Sequence, residues 1–226
     1  MNNDAGKRAA GRAAAELIHE GMLVGLGTGS TAFYFIERLV ERCREGLKIK
    51  AVASSKTTYE LAKKGKIPLI DIELITTLDI TIDGADEIDP KKRLIKGGGG
   101  ALLREKIVAS MSREMVVIVD ETKLVPHLGR HPLPVEIVPF AYKATLYKLD
   151  KLGYKGLLRT DEKGALYVTE NHNYIFDLQF GSPCADPEKE HEKIRNTPGV
   201  VDTGFFFHLA GRVIIGFNDG KTIIRD

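Results

Sequence analysis

The feature that most restricts the fold is an alternation: through the first half of the chain, short aliphatic runs take turns with helix-favouring segments. A strand that is apolar at every position is buried on both faces, and the layers that cover it are the helices leading to the next parallel strand. The run at 22–26 reads as such a strand, followed by a Gly-rich turn and a helix over 31–44. The pattern repeats as strand 49–53, helix 57–64, short strand 68–70, strand 79–82, helix 101–112 and strand 115–119. A helix over 4–20 precedes it, with Asp4 as cap, Ala13, Ala14 and Ala15 as strong helix formers and Gly21 at its end. A parallel sheet covered on both faces is the expected result.

From about residue 131 the texture changes. A Pro-rich strand over 133–138 is followed by helix 142–152, strands 157–159, 165–169 and 174–179, helix 187–195 and strand 200–206. Setting aside one hairpin arm, this order is βαββαβ, the split motif of ferredoxin-like α+β domains. The last apolar runs, 213–217 and 222–224, are too short for a third domain and are expected to return to the first sheet. The expected division is therefore 1–130 plus 205–226 for the α/β domain and 131–204 for the smaller one, which the chain of 226 residues accommodates.

Thirty-three Lys and Arg against thirty-one Asp and Glu leave a formal charge of +2, so no global field draws nucleic acid or an anionic membrane. Cys43 and Cys184 lie far apart without a CxxC spacing, which fits a reducing compartment. Lys7, Arg8, Arg12, Glu16 and Glu20 interrupt any signal-peptide apolar core, so a soluble cytoplasmic protein is expected.

In open α/β sheets ligands bind beyond the carboxyl ends of the strands, and the loops there are unusual. Residues 25–31, GLGTGST, combine glycines that let backbone N–H groups crowd an anion with the hydroxyls of Thr28, Ser30 and Thr31 and a following helix N-terminus. The segment matches neither GxGxxG nor the P-loop, and Ser54 occupies the position where a ribose-binding acid would sit, so it is expected to hold a phosphate rather than a dinucleotide. A plain glycine turn is the competing reading. Ser54 and Ser55 read as helix caps when taken alone.

The segment DGADEID at 83–89 places four carboxylates, Asp83, Asp86, Glu87 and Asp89, in one turn around Gly84 and Ala85. Its spacing lacks the glycine and terminal glutamate of an EF-hand; carboxylates there can bind sugar hydroxyls or relay protons. The run Lys96, Gly97, Gly98, Gly99, Gly100 costs conformational entropy, which is explicable where the backbone must approach a ligand closely. Glu105, about one helical turn further on, either faces the same cleft or is an ordinary solvated helix carboxylate. Lys123 reads by default as a solvated lysine near a strand end. His127 and His131 have metal-like spacing, but Pro132 and the absence of nearby cysteines argue against zinc.

GTGSTA at 27–32, DGADEID at 83–89 and KGGGGALLREK at 96–106 together resemble the A-type ribose-5-phosphate isomerase family. The resemblance extends to Ser54 and Ser55, DETK ending at Lys123, HPLPVEIVP at 131–139 and TPGVVDTG at 197–204, and is weakest over 154–186. It implies a Rossmann-like α/β domain with a smaller α+β domain that helps form a homodimer or homotetramer. The implied activity is interconversion of D-ribose 5-phosphate and D-ribulose 5-phosphate in the pentose phosphate pathway, without metal or organic cofactor. The family's substrate-binding positions fall on Thr28, Gly29, Ser30, Thr31, Asp83, Gly84, Ala85, Asp86, Lys96, Gly97, Gly98, Gly99 and Lys123. Its proton acceptor falls on Glu105, with Asp83, Asp86 and Lys96 completing the implied catalytic set. Gly100 and Leu103 depart from the family pattern without changing a functional side chain. Two other readings stay open: a non-catalytic sugar-phosphate sensor, which needs the 27–31 cradle but not the reactive set, and a metal-dependent phosphosugar enzyme using Asp83, Asp86 and Asp89.

Overall fold

The computed structural model describes residues 4–226. Five strands with fully or mostly buried aliphatic sequences, β1 (Leu23–Leu26), β2 (Lys50–Ala53), β3 (Ile80–Asp83), β6 (Met115–Asp120) and β12 (Ala210–Gly216), pair in parallel. β13 (Thr222–Arg225) adds an exposed antiparallel edge, giving the order β13-β12-β6-β3-β1-β2. The helices α1 (Asp4–Ala15), α2 (Ser30–Arg44) and α3 (Lys56–Lys64) follow the predicted alternation. Ala10, Ala14, Phe35, Ile36 and Leu39 pack with Val24, Leu26, Ile82 and Ile118 in the core of this unit. Order reverses between β1 and β3: the chain goes from β1 to β2 on one side, then back to β3 on the other. The carboxyl ends of β1 and β3 therefore flank the topological switch point, where this class of sheet binds ligands.

α1 ends earlier than the predicted 20. The Arg42 guanidinium donates to the Ala15 and Ile18 carbonyls, and Glu16, Leu17 and Ile18 tighten into i→i−3 bonds, so the terminal carbonyls are satisfied without a further α turn. The predicted strand at 68–70 contributes a single bridge, Ala51 to Leu69.

A second unit comprises Asp86–Leu103 and Val125–His208, and the first comprises the chain up to Ala85 with Arg104–Leu124 and Leu209–Asp226. In the second unit the chain runs β7 (Leu133–Ile137), α5 (Tyr142–Lys151), β8 (Lys155–Leu158), β9 (Tyr174–Gln179), α6 (Pro187–Arg195) and β10 (Val200–Thr203), and its four strands form an antiparallel sheet ordered β10-β7-β9-β8. This is the βαββαβ arrangement that the sequence pattern implies. Leu133, Val135, Ile137, Leu149, Leu178 and Ile194 form its core. The predicted strand at 165–169 shrinks to isolated bridges, because Thr169, Asn171 and Asn173 turn their side chains to the buried Glu136 carboxylate.

The segment 86–103 differs from expectation. It forms β4 (Glu87–Ile88) and β5 (Leu94–Ile95), which pair with β11 (Phe205–Phe206) in a three-stranded sheet of the second unit. The single strand predicted over 200–206 breaks at Gly204, whose N–H bonds to Pro134 O and whose Cα leaves no room for a side chain beside Lys96 O. Two-residue strands carry too little periodicity to be read from sequence. Among the described residues no helix is long and apolar enough to cross a membrane.

Cys184 is buried, and burial pushes its thiol up to about 11, with the Glu190 carboxylate adding to the rise. At pH 8 about one molecule in a thousand carries the reactive thiolate. Alkylation of the native protein at pH 8, followed by peptide mass spectrometry, is expected to leave Cys184 unmodified and to label it after unfolding. Rapid labelling of Cys184 in the native protein would contradict this packing.

Candidate active site

β1 and β3 lie side by side in register, Leu26 beside Ile82, so the loop after β1 runs over the end of β3. Asp83, the last residue of β3, is completely buried, and its Oδ1 accepts N–H bonds from Thr28 at 3.0 Å and Gly84 at 2.7 Å. A carboxylate that receives backbone donors in a dry site is held in one orientation. Gly27 is the condition for this contact: a Cβ there would lie 2.1 Å from Asp83 Oδ1 and 2.6 Å from its Cα.

The Thr28 side chain turns the other way, into a cluster of hydroxyls. Its Oγ1 lies 2.8 Å from Ser54 Oγ and donates to Ser55 Oγ at 2.8 Å, while Thr58 Oγ1 donates to Gly27 O at 2.9 Å. Ser55 is also the N-cap of α3, accepting from Thr58 N, so capping and loop fixation are both carried by these residues. Thr58 was not among the predicted site residues; its signal is its place in the first turn of the helix that Ser55 caps.

α2 begins at Ser30 behind Gly29, which has φ near 112° and supplies no side-chain cap. The first-turn N–H groups with the exposed Ser30 and the largely buried Thr31 therefore offer donors and a positive dipole end to an anion. Lys123 sits half-buried on the short turn after β6, whose start Asp120 caps through Thr122 N.

Glu105 lies in the first turn of α4 (Leu102–Ser110) and is only 4% exposed, so the solvated-carboxylate reading is excluded. Lys96, which follows β5, is 1% exposed. Its backbone N–H bonds Gly204 O at 2.8 Å and its ammonium lies 5.5 Å from the Phe206 ring centroid. Asp86, half-buried, accepts from Gly98 N through Oδ2 at 2.8 Å, joining the carboxylate segment to the glycine run.

The four carboxylates of 83–89 divide by role. Glu87 is buried and accepts the N–H groups of Gly129 and His131. Asp89 closes the turn at 89–93 through Lys91 N and Arg93 N and pairs with the Arg93 guanidinium. Asp83 and Asp86 also accept backbone N–H groups, but from the two glycine-containing loops, Thr28 N and Gly84 N on Asp83 and Gly98 N on Asp86. Among the described residues no three His, Cys, Asp or Glu side chains are grouped as a metal ion would require. His131 Nδ1 lies 2.8 Å from Pro132 O.

The family model described as ribose 5-phosphate isomerase A (phosphoriboisomerase A) matches residues 50–220. The chain is 52% identical over 218 residues to ribose-5-phosphate isomerase A of Protochlamydia amoebophila, covering 96% of this chain and 94% of that one. It is similar to the solved ribose 5-phosphate isomerase from Plasmodium falciparum, with a TM-score of 0.93 and 38% identity over 99% of this chain and 98% of the other. It is also similar to a D-ribose-5-phosphate isomerase solved in complex with phospho-erythronic acid, with a TM-score of 0.91, 37% identity and 97% of each chain covered.

The contact between the first loop and Asp83 predicts a contrast between two neighbouring glycines. Gly27→Ala is expected to destabilise the fold by about 1–3 kcal/mol through overpacking. Gly84→Ala, whose nearest atom would be Ile118 O at 3.7 Å, stays within about 0.5 kcal/mol of the parent. Equal urea midpoints for the two variants would refute the close approach.

Proposed function

The chain belongs to the ribose 5-phosphate isomerase A family, and we propose that it interconverts D-ribose 5-phosphate and D-ribulose 5-phosphate through an enediolate, with Glu105 as the base. The observation that carries this reading is the burial of Glu105 in the first turn of α4. A carboxylate buried in the first turn of a helix is held in place and screened from bulk water, as a general base acting on a carbon acid requires.

Isomerisation needs two proton shifts. One moves from C2 to C1, and a single carboxylate above both carbons removes and returns it; Glu105 has that role. Negative charge grows on O1 as the C2 proton leaves, and the buried Lys96 ammonium stabilises it most in the transition state. The second proton moves between O1 and O2, and the cyclic sugar must first open. Asp83, held by Thr28 N and Gly84 N, performs these transfers with the assistance of Asp86. Thr28, Gly29, Ser30 and Thr31 anchor the phosphate at the α2 N-terminus. Gly84, Ala85, Gly97, Gly98, Gly99 and Lys123 contribute polar contacts to the same substrate. The scheme uses no metal or organic cofactor. We also infer a cytoplasmic homodimer or homotetramer assembled with the help of the smaller α+β domain, in keeping with the free thiols of Cys43 and Cys184.

Proton NMR of ribose 5-phosphate with the purified protein in heavy water plus chelator tests the reading. Ribulose 5-phosphate is expected to form, with deuterium entering at the exchanging carbon. Binding without conversion would favour a sensor, and conversion only on adding a divalent metal would favour a metal enzyme. Glu105→Gln is expected to lower kcat by at least about 10²-fold while substrate binding persists; near-normal turnover would remove Glu105 from the mechanism.

A further inference from the structure

The glycine run is held by a clamp built from the segment where the family resemblance is weakest. Arg159, just after β8, is largely buried, and its guanidinium works in two directions. Nε bonds Asp177 Oδ2 at 2.9 Å and Nη2 bonds Oδ1 at 2.5 Å, a bidentate pair with a residue of β9. Nη1 spends both its hydrogens on the glycine loop, donating to Gly97 O at 2.9 Å and Gly98 O at 3.1 Å. The Tyr167 ring lies beside the same guanidinium, 5.9 Å from centroid to Cζ. Its hydroxyl sits against Gly100, where a Cβ would come within 2.3 Å of it, and Gly100 has φ near 83°. The fourth glycine, a departure from the family pattern, thus has a physical reason in this chain: Tyr167 occupies the space of its side chain.

A trans peptide points its carbonyl and its N–H in opposite directions. Fixing Gly97 O on Arg159 therefore sends the Gly98 N–H the other way, where Asp86 Oδ2 receives it at 2.8 Å. Fixing Gly98 O likewise turns the Gly99 N–H away from the guanidinium, at a residue that is solvent-exposed. The run also closes on itself, Gly100 N donating to Gly97 O at 2.9 Å, but that bond leaves the Gly98–Gly99 peptide free to turn; Arg159 on Gly98 O gives the Gly99 donor its direction.

We propose that Arg159, oriented by Asp177 and buttressed by Tyr167, is a positioning residue for the isomerase reaction: by pinning the Gly97 and Gly98 carbonyls it aims the Gly99 N–H at a hydroxyl oxygen of the phosphosugar. The proposal rests on the reading that residues 97–99 contact the substrate. The bond is made to ground state and transition state alike, so its loss raises KM and leaves kcat nearly unchanged. A purely structural role would do the reverse, lowering stability and the active fraction, and hence apparent kcat, at constant KM.

Arg159→Lys and Arg159→Met test this, with Glu105→Gln as control. A lysine can keep the charge near Asp177, but an ammonium lacks the planar fork that reaches a carboxylate and two carbonyls together. In Arg159→Lys, KM for ribose 5-phosphate is expected to rise about tenfold, the effect of one well-placed hydrogen bond, with kcat within about threefold of the parent. The Kd for phospho-erythronic acid, measured by calorimetry, should rise by the same factor. Arg159→Met is expected to exceed both changes; if it fails to fold, Arg159→Lys decides. Unchanged KM and Kd in folded Arg159→Lys, with turnover still abolished by Glu105→Gln, would overturn the positioning role and leave the isomerase reading standing. A parent protein that binds but does not convert ribose 5-phosphate would overturn both.

Discussion

The arrangement of the first unit depends on one buried carboxylate. Asp83 ends β3 at the point where strand order reverses, and its Oδ1 takes the N–H groups of Thr28 and Gly84. A buried polar group is costly unless it is hydrogen-bonded, so the two donors on Oδ1 constrain where both loops can run. Gly27 must lack a side chain, Thr28 must face Ser54, Ser55 and Thr58, and α2 must start immediately afterwards with its first N–H groups uncapped by a side chain. One acid therefore links the proton chemistry assigned to β3 with the anion cradle assigned to the loop after β1.

The second unit solves a different problem: giving direction to a loop of glycines. Lys96 is fixed first, through the backbone bond to Gly204 where β10 hands over to β11, and its buried ammonium lies beside Phe206. The run that follows has no side chains of its own with which to hold a conformation. Asp86 takes one of its N–H groups, and Arg159 takes two of its carbonyls. The ferredoxin-like sheet thus acts as a scaffold for a loop that its own sequence leaves loose.

The predicted elements that agree best with the structure are those whose ends are marked in the sequence. The helix at 187–195 and the strand at 174–179 were legible to the residue, since each carries its own boundary signal, such as Pro187 behind the Asp186 cap. Short segments at 68–70 and 165–169 read as strands from their aliphatic residues, but their backbones form only isolated bridges and single bonds, too few to extend a ladder. The sheet of β4, β5 and β11 was invisible, as two-residue strands are defined only by what they pair with. In the same way DGADEID displayed four equivalent acids. The tertiary contacts give each a different partner: Glu87 takes the Gly129 and His131 amides, Asp89 takes Arg93, Asp83 takes Thr28 and Gly84, and Asp86 takes Gly98.

Sequence alone determined the parallel α/β sheet, the βαββαβ unit, the glycine loops at strand ends and the identity of the acids, lysines and hydroxyls beside them. These are properties of local periodicity and of residue types whose backbone preferences act over a few positions. Only the tertiary structure decided that Glu105 and Lys96 are buried, which backbone amides each carboxylate receives, and that Arg159 and Tyr167 contact a loop some sixty residues earlier in the chain. Burial and hydrogen-bond partnership are set by groups distant in sequence, and no local pattern encodes them.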